Sequence, residues 1–303
     1  MMDKTKLLVI VFLGTLLFGE SKQVAAQYAA SVISYEAGAT AATGFTTASA
    51  ALGEPERFTG EGVFPGVVTP FNPPFLASEI VSVGEGGQIT LRFSHYAIPQ
   101  AAGPEIGVFE NIGLIDTDFP NGQAGSPAGT FGALDSAIVE VSADGINWVS
   151  LGSVTFDIPT NGYTDLTDPF STSPGSVPSD FQQPFTGSLS SFDGLRYFDA
   201  GGPDILEVLG TSGGGTWLDI SGTGLAKVGY VRFSIADDGL SGTSLNFELD
   251  AVTISHAALG RIIVPEPCGL ALALIAAAYV LSQSARTERL ARSARTRARL
   301  TAR

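Results

Sequence analysis

In four separate runs of this chain an apolar residue stands at every second position, and that period limits the structure it can form. The runs are Thr90-Leu-Arg-Phe93, Ile138-Val-Glu-Val-Ser142, Tyr230-Val-Arg-Phe-Ser-Ile235 and Phe247-Glu-Leu-Asp250. Successive side chains of an extended chain point to opposite faces, so this alternation makes half-buried strands. The expected inward residues are Leu91 and Phe93, Val139 and Val141, Val231, Phe233 and Ile235, and Phe247 and Leu249. Between the ends no long stretch carries apolar residues at helical spacing, and most of the chain's 37 glycines and 17 prolines fall there as turn formers. The middle of the chain, 27–258, therefore reads as a mostly β domain.

Val139 to Leu151 is the sharpest local signal: two apolar runs joined at Asp144-Gly145. That dipeptide tolerates the positive φ angles of a type I′ turn, which predicts a β-hairpin with Trp148 packed into the core. Gly84-Glu-Gly-Gly87 turns the chain into a strand at Gln88 in a similar way. The pattern suits an antiparallel β-sandwich such as a jelly roll. Two stretches, 116–134 and 157–215, are rich in Gly, Pro, Ser, Thr and Asp and resist a strand reading. Loops of that length in a compact domain are functional or contain further elements. A short helix is expected within Gly201–Leu209 and a strand over Thr216–Ile220. No fixed-period repeat and no linker divides the domain.

The two ends have a different chemistry. Lys4 and Lys6 precede an apolar run from Leu7 to Phe18, and Val24-Ala-Ala26 precedes Gln27. Charged start, short apolar core and small residues are the order of a secretory signal, cleaved between Ala26 and Gln27 by signal peptidase. Near the other end, Val264-Pro265-Glu266-Pro267 is followed by an uncharged stretch, 268–285, and then by arginines including Arg286, Arg289 and Arg292. As a helix that stretch would measure about 27 Å, close to the hydrocarbon thickness of a bilayer. The arginines beyond it would hold that terminus in the cytoplasm and act as a stop-transfer signal.

Charge separates these regions. The whole chain carries a formal −14, but residues 27–264 hold 26 Asp and Glu against 6 Lys and Arg. Nucleic-acid binding draws on clustered Lys and Arg that release counterions, so the middle domain has no nucleic-acid partner. Such acidity favours solubility and hard cations such as Ca²⁺. Cys268 is the one cysteine and lies in the tail, which removes disulfides and thiolate metal cages from the domain.

The C-terminal ending resembles the PEP-CTERM sorting signal of Gram-negative bacteria: the Pro265-Glu266-Pro267 motif, one hydrophobic span and a basic terminus. The resemblance implies transient or stable inner-membrane anchoring, cutting by an exosortase, and passage to the cell surface or extracellular matrix. The apolar span here is short and the arginine tail longer than the usual basic cluster. Ala50-Ala-Leu-Gly-Glu-Pro55, Ile80 to Leu91, Gly107-Val-Phe-Glu-Asn111, Val141 to Trp148, Gly229-Tyr-Val-Arg-Phe-Ser234 and Glu248-Leu-Asp-Ala-Val252 together resemble the galactose-binding-like β-sandwich of planctomycete-type PEP-CTERM proteins. That likeness implies a structural Ca²⁺ near the final strand, with Glu248 and Asp250 as ligands and Glu105 and Glu110 as further candidates.

The chain contains no Gly-x-Ser-x-Gly elbow, phosphate loop or His-Glu-x-x-His motif, and its two histidines, His95 and His256, are read as non-catalytic. A pair of carboxylates for glycoside hydrolysis carries no information when 26 acids are available. The expected function is a non-catalytic surface or matrix component. The alternatives are a carbohydrate-binding module contacting extracellular polysaccharide through Tyr163, Phe170 or Trp217, and, less favoured, a glycan-acting hydrolase.

Overall fold

The structure, a computed structural model, describes residues 27–60, 65–131, 135–237 and 246–260. The signal segment with Ala26, the motif Val264 to Pro267, the apolar span 268–285 and the arginine tail lie outside the described residues. All described residues belong to one compact unit, Met1–Arg261. Among them, no helix is long and apolar enough to cross a membrane.

The unit is mostly β, and its main part is two antiparallel sheets. The five-stranded sheet runs, in spatial order, β1 (Ala29–Glu36), β5 (Gln88–Ala97), β12 (Val228–Ser234), β9 (Asp135–Ser142) and β10 (Trp148–Phe156). The four-stranded sheet runs β11 (Thr216–Leu218), β6 (Ile106–Glu110), β13 (Asn246–Ile254) and β4 (Val81–Gly84). Two small ribbons, β2 (Phe58–Thr59) with β3 (Gly66–Val67) and β7 (Gly113–Leu114) with β8 (Thr130–Phe131), lie outside them.

Alternation places the core between these sheets. Ile89, Leu91 and Phe93 from β5, Val139 and Val141 from β9, and Val231 and Phe233 from β12 are fully buried against Val81, Val83, Ile106, Phe247, Leu249 and Val252 of the other sheet. Phe156, Phe233 and Phe247 form a three-ring cluster across the two sheets, with centroids 4.8–6.0 Å apart. All nine residues expected to face inward are buried.

The four-stranded sheet is covered on its other side as well. Every residue of β6 is buried, and so is every residue of β13 from Leu249 to Ile254. Much of the covering comes from the two long stretches that resist a strand reading. Phe71, Leu114, Ala124, Ala128, Ile158, Phe185, Phe192, Tyr197, Ile205 and Leu209 build a second apolar cluster, with Trp217 of β11 packed against it. Phe109 of β6 meets Phe181 edge-on at 5.1 Å. A short helix, Ile205–Leu209, lies within the span expected for it, capped by Asp204 and ended at Gly210 with φ 60°.

Irregular backbone needs acceptors for its N–H groups, and Asp side chains supply them. Asp116 accepts from Asp118, Gly122 and Gln123 at 2.9–3.0 Å. Asp165 accepts from Ser176 and Val177, Asp193 from Ala128, and Asp204 from Asp199 and Glu207. Part of the domain's acidity is thus internal scaffolding.

The hairpin differs from its expected form. The loop between β9 and β10 has five residues, and positive φ occurs at Gly145 but not at Asp144. A type I′ turn needs both. Asp144 instead accepts the N–H groups of Ile146 and Asn147, each at 2.9 Å, which holds its carboxyl well below the usual range. Trp148 is half-buried rather than in the core: the Arg232 guanidinium lies 4.2 Å from its ring and pairs with Glu140 at 2.6 Å. A strand residue next to a core-facing valine, Val149, must point the other way.

Candidate functional site

β10 ends at Phe156, and the chain then runs through Asp157 and Ile158 toward the loop layer; β11 returns alongside β6, with Trp217 opposite Gly107. Asp219 directly follows the last residue of β11, Leu218. These segments, with Pro104 and residues 185–188, enclose a cleft of about 360 Å³. Trp217, Asp157, Asp219, Thr216, Phe185 and Ser188 are among its walls, and no lining residue is basic.

The indole of Trp217 is fixed on three sides. A Cβ at Gly107 would stand 2.8 Å from the ring, so the ring occupies space that only glycine leaves open. Its Nε1–H donates to the carbonyl of Gly214 at 2.9 Å, and Phe109 meets it edge-on at 6.5 Å. A half-buried aromatic ring with its polar atom already satisfied offers an apolar surface to a ligand.

The two carboxyls of the cleft differ. Burial pushes Asp157 above the ordinary carboxylate range. Asp219 is held below it by the Ser221 side chain and by the Ser221 N–H, which donates at 2.8 Å. Thr216 pairs with Val108 of the main core, so its side chain turns to the face opposite Trp217.

Of the three aromatic candidates, only Trp217 lines the cleft. Phe170 packs against Phe119 at 5.2 Å, and the ring of Tyr163 lies 5.9 Å from the Arg57 guanidinium. Phe185 was not expected from sequence. Asp157 and Asp219 were hidden among the many acids, although Trp217-x-Asp219 has the two-residue spacing that puts side chains on one face of an extended chain.

The four acids named as calcium ligands take separate roles. Glu105, fully buried, accepts from the N–H of Gln100 at 2.6 Å and of Ile220 at 2.9 Å. Glu248 accepts from the side-chain amides of Asn111 and Asn246. Asp250, also buried, accepts from the N–H of Glu56, and burial together with repulsion from Glu56 and Glu79 raises its pKa far above normal. Glu110 is buried on β6 opposite Leu249, beside Glu248, whereas Glu105 precedes the other end of that strand, about 17 Å away at strand rise. Oxygens sharing one Ca²⁺ lie within about 2.6 Å of it, so Glu105 and Glu110 do not share an ion. Among the described residues, no group of three or more His, Cys, Asp or Glu is placed to hold a metal.

His256 Nε2 lies 2.9 Å from Asp180, and His95 Nδ1 lies 3.1 Å from the Ser94 hydroxyl. Ser255, next to His256, keeps its hydroxyl buried without a hydrogen-bond partner, so it is not aligned on that imidazole. No protein-family model matches this chain, and no curated protein matches it.

Proposed function

We propose that this chain is an exported surface or matrix protein whose β domain binds carbohydrate in the Trp217 cleft. The observation that carries the binding reading is an immobilised indole beside two carboxyls in one concave site. Saccharide sites combine a flat apolar platform with a few polar groups that fix the hydroxyls, and this cleft supplies both. Two sheets around a common core agree with the galactose-binding-like jelly roll that the sequence resembles. Export rests on the secretory signal and on the PEP-CTERM ending, with exosortase and the inner membrane as the partners that ending implies. A structural Ca²⁺ rests on the family resemblance, and its test is a fall in melting temperature on chelation.

Glycan-array binding by the full chain tests the reading, with Trp217→Ala expected to abolish the signal. Binding that survives this change places the site elsewhere. Deleting Pro265 to Arg303 is expected to abolish envelope retention, and unchanged localisation would remove the sorting proposal.

One observation favours a second reading, a glycan-acting hydrolase. Asp157 and Asp219 line one cleft with pKa values displaced in opposite directions, as an acid and its partner carboxylate require. New reducing ends from a bound oligosaccharide, absent with Asp157→Asn, would establish it.

A further inference from the structure

The charge of the cleft narrows the ligand. It presents two carboxyls, and no Lys, Arg or His lines it. A neutral sugar would partly desolvate Asp157 and Asp219 without compensating their charge, and a uronic acid would add a third negative group. Removing a carboxylate from water is costly unless an opposite charge meets it. A protonated amine on the sugar ring is that charge. Its three N–H donors match acceptor-only carboxylates, while the apolar face of the pyranose lies on Trp217.

We infer that the Trp217 cleft selects saccharides bearing free amino groups, glucosamine-type units, over their N-acetylated and acidic counterparts, through Asp157 and Asp219. The inference rests on the carbohydrate-binding reading and is separable from it. Hydrogen bonds to charged groups exceed neutral ones by an amount that corresponds to roughly tenfold in affinity.

The test is calorimetric titration of the full chain in slightly acidic buffer with three probes: a glucosamine hexamer, the same hexamer fully N-acetylated, and a galacturonate hexamer. The amine form is expected to bind about tenfold more tightly than the acetylated form, and the uronate not measurably. The double variant Asp157→Asn, Asp219→Asn should lose that preference while retaining the acetylated form, with Asp219→Asn alone used if the double variant does not fold. Equal or tighter binding of the acetylated form, abolished by Trp217→Ala, would overturn the amine preference and leave the carbohydrate reading standing. Failure of all three probes would sink both. A preference untouched by the aspartate changes would overturn the assignment of these two residues.

Discussion

Glu105 accepts the backbone N–H of Ile220 at 2.9 Å across 115 residues of sequence, tying the entry to β6 to the exit from β11. Its other oxygen accepts from Gln100, so one buried carboxylate satisfies two main-chain donors. Glu105→Ala leaves both without an acceptor. At about 1–3 kcal/mol for each of the two donors, the variant should be less stable by roughly 2–6 kcal/mol. Urea unfolding should show a lower midpoint at an unchanged slope.

Asp250 makes a prediction with a defined sign. Its pKa is raised in the folded protein, so the native state holds the proton more firmly than the unfolded chain does. That contribution is fully present below the ordinary value of 3.8 and is lost as pH rises through the folded value. Asp250→Asn keeps an oxygen for the Glu56 N–H and removes the buried charge. The variant should match the parent in acid and exceed it in melting temperature at neutral pH, a gap that thermal scans across pH would measure.

Trp148 separates two readings of the β9–β10 hairpin. A core tryptophan truncated to alanine costs about 3–5 kcal/mol. Trp148 lies half-buried beneath Arg232, so Trp148→Ala should cost about 1 kcal/mol, in the range of a cation–π contact at a partly exposed site. Denaturant titration gives the answer directly.

Arg57 binds the loop layer at several points. Its guanidinium donates to the carbonyls of Gly162 and Ser179, pairs with Glu54 and lies 4.0 Å from the Phe181 ring. Lysine keeps the charge and loses the planar fork. Arg57→Lys should speed proteolytic nicking within 162–179 and lower stability by about 1–3 kcal/mol; an unchanged cleavage rate would contradict this anchoring role.

What could be read from the sequence follows from the range of the forces involved. Leu91, Val139, Val231 and Phe247 announce themselves because burial on one face leaves a local period of two. β1 does not, since Ala29, Ala30, Ser31 and Ser34 of Ala29–Glu36 are small and its register against β5 shifts twice. The loop layer leaves no period at all: Phe71 meets Tyr197 at 6.4 Å, and that contact joins residues with no local sequence relation. Trp217 was legible as an exposed-type aromatic near a loop. Asp157 acquires its character from burial that only the folded neighbourhood supplies.

The second apolar cluster also limits how far the cleft can be moved. One wall of the cleft comes from 185–188, within an excursion seated on Phe71, Leu114 and Phe109, side chains that lie elsewhere in the chain. Grafting 157–219 onto another scaffold would leave that seat behind. Recognition here is not portable as a peptide, and altering its selectivity means exchanging residues in place.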